Sequence, residues 1–209
     1  MKDSFDLLRT LEELFAGDRK SLLTLDEFLG GLHGRSYAFA IAALNVPNCI
    51  PTGIPWLSTI TGLPMVFLLV QFFAGREVPR LPSLVGRRGL QRGKLQTFLG
   101  RARRCIQWLE NIVHARQEWL VSGMPRRALL VAWAANIVIL ALPIPFDNFL
   151  PAWAIMFICL ALVEDDGVMA MLGWLLTVAT AIWTVFLLMV GHAAVMMAIA
   201  TIKRALFQD

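Results

Sequence analysis

Asp147 is the only formally charged residue between Ala128 and Val163, and it stands in the turn Pro143-Ile144-Pro145-Phe146-Asp147-Asn148 between two apolar runs. An ionisable group at depth in hydrocarbon is expensive and marks an ion, proton or headgroup path. At an interface the same carboxylate can simply close an Asx-turn. Sequence alone leaves both roles open. A second polar spot lies in Pro47-Asn48-Cys49-Ile50-Pro51-Thr52-Gly53-Ile54-Pro55, where each proline removes a donor and disfavours helix in the residue before it. The freed carbonyls there stand beside Asn45, Asn48 and Thr52. Asn48, Thr52, Asp147 and Asn148 are therefore the candidate path-lining residues.

Other chemistry is sparse. His33, His114 and His192 fall in three separate segments, no carboxylate pair lies beside a Ser or Cys nucleophile, and no glycine-rich phosphate loop follows a strand. Cys49, Cys105 and Cys159 have no paired spacing, so neither a disulfide framework nor a zinc site is expected. Glu164-Asp165-Asp166 can ligate a hard cation through oxygen, yet a helix starting near Gly167 also favours acids there through its dipole. The expectation is a protein that is not an enzyme, with no cofactor, no metal site and no catalytic residues.

The elements that must position these groups are membrane elements. The 209 residues are 57% hydrophobic and 16% charged, against about 25% charged in ordinary soluble domains. Ser36 to Gly75 holds no charged residue and no His, yet carries Pro47, Pro51, Pro55 and Pro64. Broken chain at membrane depth is tolerated only where protein or a cavity covers it. The expected fold is an all-α, polytopic integral membrane protein of one domain, with two proline-broken, re-entrant helical hairpins. Its parts are a helical preface over 1–35, the first hairpin over 36–75, a basic loop over 76–127, and the second hairpin with C-terminal transmembrane helices over 128–209.

In the preface, Thr24-Leu25-Asp26-Glu27 reads as a capping box with Leu23 placed to staple Phe28, predicting a short helix from Leu25 toward Gly30. Acids from Asp6 to Glu27 exclude a signal peptide. In the first hairpin, Tyr37 to Val46 is long enough only for a half-helix, while Trp56 to Gly75 can cross about 30 Å of hydrocarbon.

The loop from Arg76 to Arg127 holds twelve Lys and Arg against three acids, an excess of +9, so it should be cytoplasmic. No recognition-helix, zinc or stacking pattern accompanies that charge, so nucleic acid is not an expected partner. Leu95, Phe98, Leu99, Ala102, Ile106, Leu109 and Val113 form an apolar stripe at helical spacing. That stripe fits either the headgroup plane or the protein's own surface. Arg101, Arg103, Arg104 and Trp108 are the candidate lipid contacts.

In the second hairpin, Ala128 to Leu142 and Pro151 to Val163 are each short for a crossing, which favours entry and exit by one face. Laying Leu63-Pro64 on Leu150-Pro151 also aligns Ala74 with Ala161 and Glu77 with Glu164, a constant offset that points to an internal, inverted repeat. Gly167 to Ile202, interrupted only by His192, is expected to make two crossings.

Pro47-Asn48-Cys49-Ile50-Pro51, Ile54-Pro55-Trp56-Leu57-Ser58-Thr59-Ile60-Thr61-Gly62-Leu63-Pro64, Gln71, Gly75-Arg76-Glu77 and Leu81-Pro82 resemble the signature half of the ExoD exopolysaccharide-synthesis family. Pro125-Arg126, Pro143-Ile144-Pro145, Asn148, Pro151 and Asp165-Asp166-Gly167 continue the resemblance, which runs from about Thr24 to the C-terminus. One departure is Glu164-Asp165-Asp166-Gly167, where the family pattern carries an Arg within the acidic turn. The resemblance implies a bacterial inner-membrane protein linked to exopolysaccharide production, but no reaction. Two functions fit. One is a transporter, channel or lipid scramblase whose broken helices meet near the midplane and pass an ion or a polyprenyl-phosphate lipid. The other is a scaffold or regulator of a polysaccharide synthase that binds anionic lipid. Membrane lipids, and a second copy of the chain, are the expected partners.

Overall fold

Helices dominate because the apolar runs are too long and too evenly apolar for strands. The computed structural model describes residues 7–50, 56–80, 89–113, 116–144 and 146–207. Among these are α1 (Leu7–Phe15), α2 (Leu25–Gly31), α3 (Ser36–Asn45), α4 (Leu57–Phe73), α5 (Arg92–Ile112), α6 (Gly123–Ala141), α7 (Phe149–Glu164) and α8 (Gly167–Phe207). The all-α expectation misses one small ribbon, in which β1 (Leu22–Thr24) pairs antiparallel with β2 (Gly89–Gln91), Leu23 opposite Leu90. Three residues per strand are too few to leave a period-two signal.

The capping box forms as its sequence requires. Glu27 N–H donates to Thr24 Oγ1 at 3.2 Å, Thr24 N–H donates to Glu27 Oε2 at 3.1 Å, and α2 follows. Leu23 and Phe28 join a small core with Leu8, Phe15 and Leu99. Here lies the partner of the amphipathic stripe in α5: Leu95, Leu99 and Ile106 pack on α1, whose own apolar face carries Leu8, Leu11 and Phe15. The side chain of Leu109 lies outside the described ones.

Two helical hairpins and α8 build the larger core. The first hairpin is α3, a 3-10 turn at Val46–Cys49, and α4. The second is α6, a tip over 142–148, and α7. Helix α7 is central, packed against α3, α6 and α8, with Ala152, Ala154, Ile155 and Ile158 fully buried. It is apolar on all sides, as a helix surrounded by others must be. Glycine permits two of the crossings. A Cβ on Gly62 would stand 2.7 Å from Ala141 Cα, and one on Gly173 would stand 2.6 Å from Ile158 Cγ1. Close backbone approach of this kind is how helices associate where lipid competes for apolar contact.

Ion pairs gather one end of the bundle. Arg35, just before α3, and Arg126, in the first turn of α6, both reach Asp165 after α7, at 3.9 and 3.3 Å. Helices α3 and α6 therefore start at the same end, and both tips lie at the other. This corrects the inverted repeat: the hairpins run in parallel. The constant offset also fails in detail, because Pro64 is the eighth residue of α4 whereas Pro151 is the third of α7.

Two further expectations change. Helix α6 begins at Gly123, five residues before Ala128, because Pro125 falls in its first turn, where a missing N–H costs nothing. Its 19 residues cover about 28 Å, so this arm is not too short to cross. Gly167–Phe207 is one 41-residue helix rather than two crossings. No proline interrupts it, and Gly191 alone costs only about 1 kcal/mol.

Among the described residues two helices, α6 and the Gly167–Ala193 part of α8, are long and apolar enough to cross a membrane. Only 33% and 17% of their apolar windows are buried, whereas a soluble core helix would be mostly covered. Leu175, Val178, Ile182, Val185 and Phe186 of α8 face outward, as do Ile60, Phe67 and Val70 of α4.

Candidate functional site

Thr177, Thr180 and Thr184 recur at steps of three and four residues, so they share one face of α8. The second hairpin places polar groups opposite them. Asn136 Nδ2, from α6, donates to Thr177 Oγ1 at 2.9 Å and to Ala132 O at 2.8 Å, while Thr177 donates to Gly173 O at 2.7 Å. Thr184 Oγ1 donates to Asp147 Oδ2 at 2.7 Å, and Trp183 Nε1 donates to Phe146 O at 3.0 Å. These two bonds clamp the second tip onto α8.

The seam is incompletely satisfied. Asp147 is 1% exposed, yet its Oδ1 has no partner, and neither does Asn136 Oδ1 or the fully buried Thr180 Oγ1. Buried polar atoms are nearly always bonded to protein or water; five other buried side-chain atoms, among them Asn45 Oδ1 and Trp133 Nε1, also lack a partner among the described residues, but Asp147 Oδ1 is the one that belongs to a carboxyl group. Burial raises the Asp147 carboxyl above its ordinary pKa, with the Thr184 hydrogen bond pulling the other way. Its carboxylate bonds to Thr184 on another helix rather than to a tip N–H, so the Asx-turn role is not the one adopted.

The first tip is built differently. Asn45 Nδ2 donates to Ala152 O at 2.6 Å, fastening the end of α3 to α7. Asn48 Nδ2 donates to Thr61 Oγ1 at 2.8 Å, and that hydroxyl bonds back to Leu57 O at 2.9 Å. Among the described residues, no hydrogen bond joins Asn48 to Asp147 or Asn148. Asn148 is half-buried before α7 and makes no side-chain cap. Thr52 lies outside the described residues. Both tips hold an exposed aromatic in the left-handed region, Trp56 at φ 65° and Phe146 at φ 64°, a strained position for a bulky side chain.

Sequence reasoning found Asp147 but missed Asn136, Thr177, Thr180 and Thr184. A signal existed: Asn136 is the only polar residue from Ala128 to Phe146, and the three threonines fall at helical spacing in an apolar run.

At the opposite end, the acidic turn is neutralised by arginines from elsewhere in the chain. Besides Arg35 and Arg126 on Asp165, Arg116 Nε reaches Asp166 Oδ1 at 3.2 Å. Asp166 also accepts Val168 N–H at 2.7 Å and so caps α8. The guanidinium absent from the turn is thus supplied in space, and it opposes a cation at these carboxylates. Among the described residues no group of three metal-ligating side chains occurs. The candidate lipid contacts Arg101, Arg103, Arg104 and Trp108 are all exposed on α5, with Arg103 held 3.6 Å from Glu12.

The family described as "Exopolysaccharide synthesis, ExoD" matches residues 7–186. The chain is 30% identical over 190 residues to Protein ExoD of Rhizobium meliloti, covering 88% of this chain and 77% of that one. It is 26% identical over 165 residues to an uncharacterized protein of Synechocystis sp., covering 78% of each. No solved structure matches.

Proposed function

The chain belongs to the ExoD exopolysaccharide-synthesis family, and from that premise we propose that it is an inner-membrane protein that passes a proton or small cation along the α8 seam, with Asp147 as the binding group. The observation that carries this is the buried Asp147 carboxylate, bonded through one oxygen and unpartnered at the other, at the end of a threonine column. An ionisable group so placed in a membrane protein usually serves a pathway. Charge decides between the two candidate cargoes. Among the described residues no cationic side chain bonds to Asp147, so a lipid phosphate would meet a carboxylate with no bonded cation to offset the repulsion, whereas a proton or cation is attracted.

In this arrangement the first hairpin is re-entrant, since α3 has ten residues and reaches only about 15 Å. The basic end is cytoplasmic, in keeping with Arg76, Arg80, Arg116, Arg126 and Arg127 there. A cysteine placed at exposed Gln107 in a cysteine-free background should resist an impermeant thiol reagent in intact cells and react after lysis. Labelling of intact cells reverses the orientation.

The test of function is flux in liposomes, measured separately for protons, for sodium and potassium, and for labelled polyprenyl phosphate. Proton or cation flux above that of empty liposomes, lost in Asp147→Asn, is the expected result. Flux of polyprenyl phosphate alone, or none at all, overturns the proposal.

A further inference from the structure

Helix α5 has a second face. Its stripe of Leu95, Leu99 and Ile106 is covered by α1, but Lys94, Arg101 and Trp108 follow at seven-residue steps on the other side, with Phe98 and Ile112 beside them. Phe98 is 66% exposed and Trp108 63%. The first of these residues edge an open cleft of about 490 Å³ whose lining includes Arg19, Gln91, Lys94, Thr97, Phe98 and Arg101. Among the described residues three cations line it and no carboxylate does, and none of the three is held in an ion pair. Other cations nearby do meet acids, as Arg103 meets Glu12 and Arg126 meets Asp165.

We propose that this cleft binds the phosphate headgroup of an anionic phospholipid, with Phe98 and Trp108 entering the interfacial layer beside it. Charge complementarity selects an anion, and Thr97 and Gln91 add hydrogen-bonding groups of the kind phosphate oxygens use. The exposed aromatics select lipid over a soluble phosphate. A basic cleft flanked by an aromatic and a branched aliphatic side chain has the make-up of a membrane-surface helix face. Position agrees, because α5 leads directly to Val113, which is buried in the core of the helical bundle, and Arg116 is fixed at the bundle's basic end. Exposed Trp119 and Met124 follow at the entrance to α6. The proposed lipid contact lies on the face away from the apolar stripe, with Arg19 and Lys94 joining Arg101, and Arg103 facing Glu12 instead.

The test uses the full-length protein in neutral detergent and counts bound phosphatidylglycerol against phosphatidylcholine by native mass spectrometry. Each cation near an anionic surface contributes roughly a factor of five, so the double variant Lys94→Glu/Arg101→Glu should lose the phosphatidylglycerol preference by at least about tenfold. Its melting temperature should stay at the wild-type value, since neither side chain is buried or paired. Phe98→Ala/Trp108→Ala should weaken retention while keeping the headgroup preference. A charge-reversed protein that keeps its preference overturns the proposal. So does wild-type protein whose cleft is filled equally well by millimolar pyrophosphate and is indifferent to Phe98 and Trp108, which assigns the cleft to a soluble phosphate.

Discussion

The two hairpin tips start from the same ingredients and end in different states. Each joins an incoming helix to an outgoing one through a proline-rich turn, and each holds an exposed aromatic at positive φ. In the first, Asn45 and Asn48 donate to partners within the bundle, and Thr61 relays the second of these bonds to the α4 backbone. In the second, a buried carboxylate meets one hydroxyl and leaves an oxygen bare. The bonds of the first tip fix geometry, and what that tip leaves unpartnered, the buried Asn45 Oδ1, is a neutral acceptor rather than a charge. A half-bonded buried carboxylate is costly, and that cost is explained if a proton or cation completes it. The first tip is therefore structural in character, and the second is where chemistry is expected.

Replacing Asp147 breaks this comparison most sharply. Asp147→Asn keeps an acceptor for Thr184 and removes only the charge, so flux and exopolysaccharide output should fall to near background. Stability in detergent should hold or rise. The pH dependence follows from the sign of the shift. A carboxyl whose folded pKa is raised contributes its stabilisation fully below the unfolded value of about 3.9 and loses it as pH climbs through the folded value. Wild type should lose melting temperature relative to Asp147→Asn across that window. An Asp147→Asn variant with full activity would remove the carboxylate from the mechanism and favour the scaffold function.

Gly62→Val should give the largest loss of stability. Its Cβ would press on the Ala141 backbone at the C-terminal end of α6, and overpacking of this kind costs about 1–3 kcal/mol. Because Gly62 lies one residue beyond Thr61, the damage should fall on both tips at once. Thermal unfolding in detergent measures it, and an unchanged melting temperature would mean that α4 and α6 do not cross there.

These contrasts also show what sequence carries. The capping box and the half-helix α3 were legible because each depends on residues near in the chain, whereas the burial of Asp147 was not, because distant α8 covers it. Apolar length was legible as composition. What escaped depends on contacts between distant segments. The α5 stripe has the same spacing whether lipid or α1 covers it, and only the fold reveals α1. The pairing of Asn136 with Thr177, and of Asp147 with Thr184, joins α6 and its tip to α8 across 41 and 37 residues. The start of α6 was misplaced because basic residues were counted as loop, although a helix readily carries Arg126 and Arg127 in its first two turns. The single α8 was misjudged from length, when absence of a breaker was the stronger signal.

Thr184→Val sharpens the second tip without touching its charge. Removing the hydroxyl leaves Asp147 with no side-chain donor and should cost about 1 kcal/mol of stability, the worth of a typical hydrogen bond. With that donor gone the carboxyl should bind its proton more tightly. Any pH dependence of flux should therefore move to higher pH, a readout that simple loosening of the tip would not produce. A flux profile that falls in amplitude but stays at the same pH would place Thr184 in packing alone.

Asn48→Ala should have the smallest effect, and it tests the other half of the comparison. The change removes the donor to Thr61, but that hydroxyl keeps its bond to Leu57 O, so no buried group in α4 is abandoned. The loss should be about 1 kcal/mol or less, seen as a modest drop in melting temperature, with flux per folded molecule unchanged. A large loss of flux with little change in stability would contradict the division drawn here. It would mean that Asn48 faces the path as Asp147 does, and that the two tips act together on one cargo although no hydrogen bond among the described residues joins them.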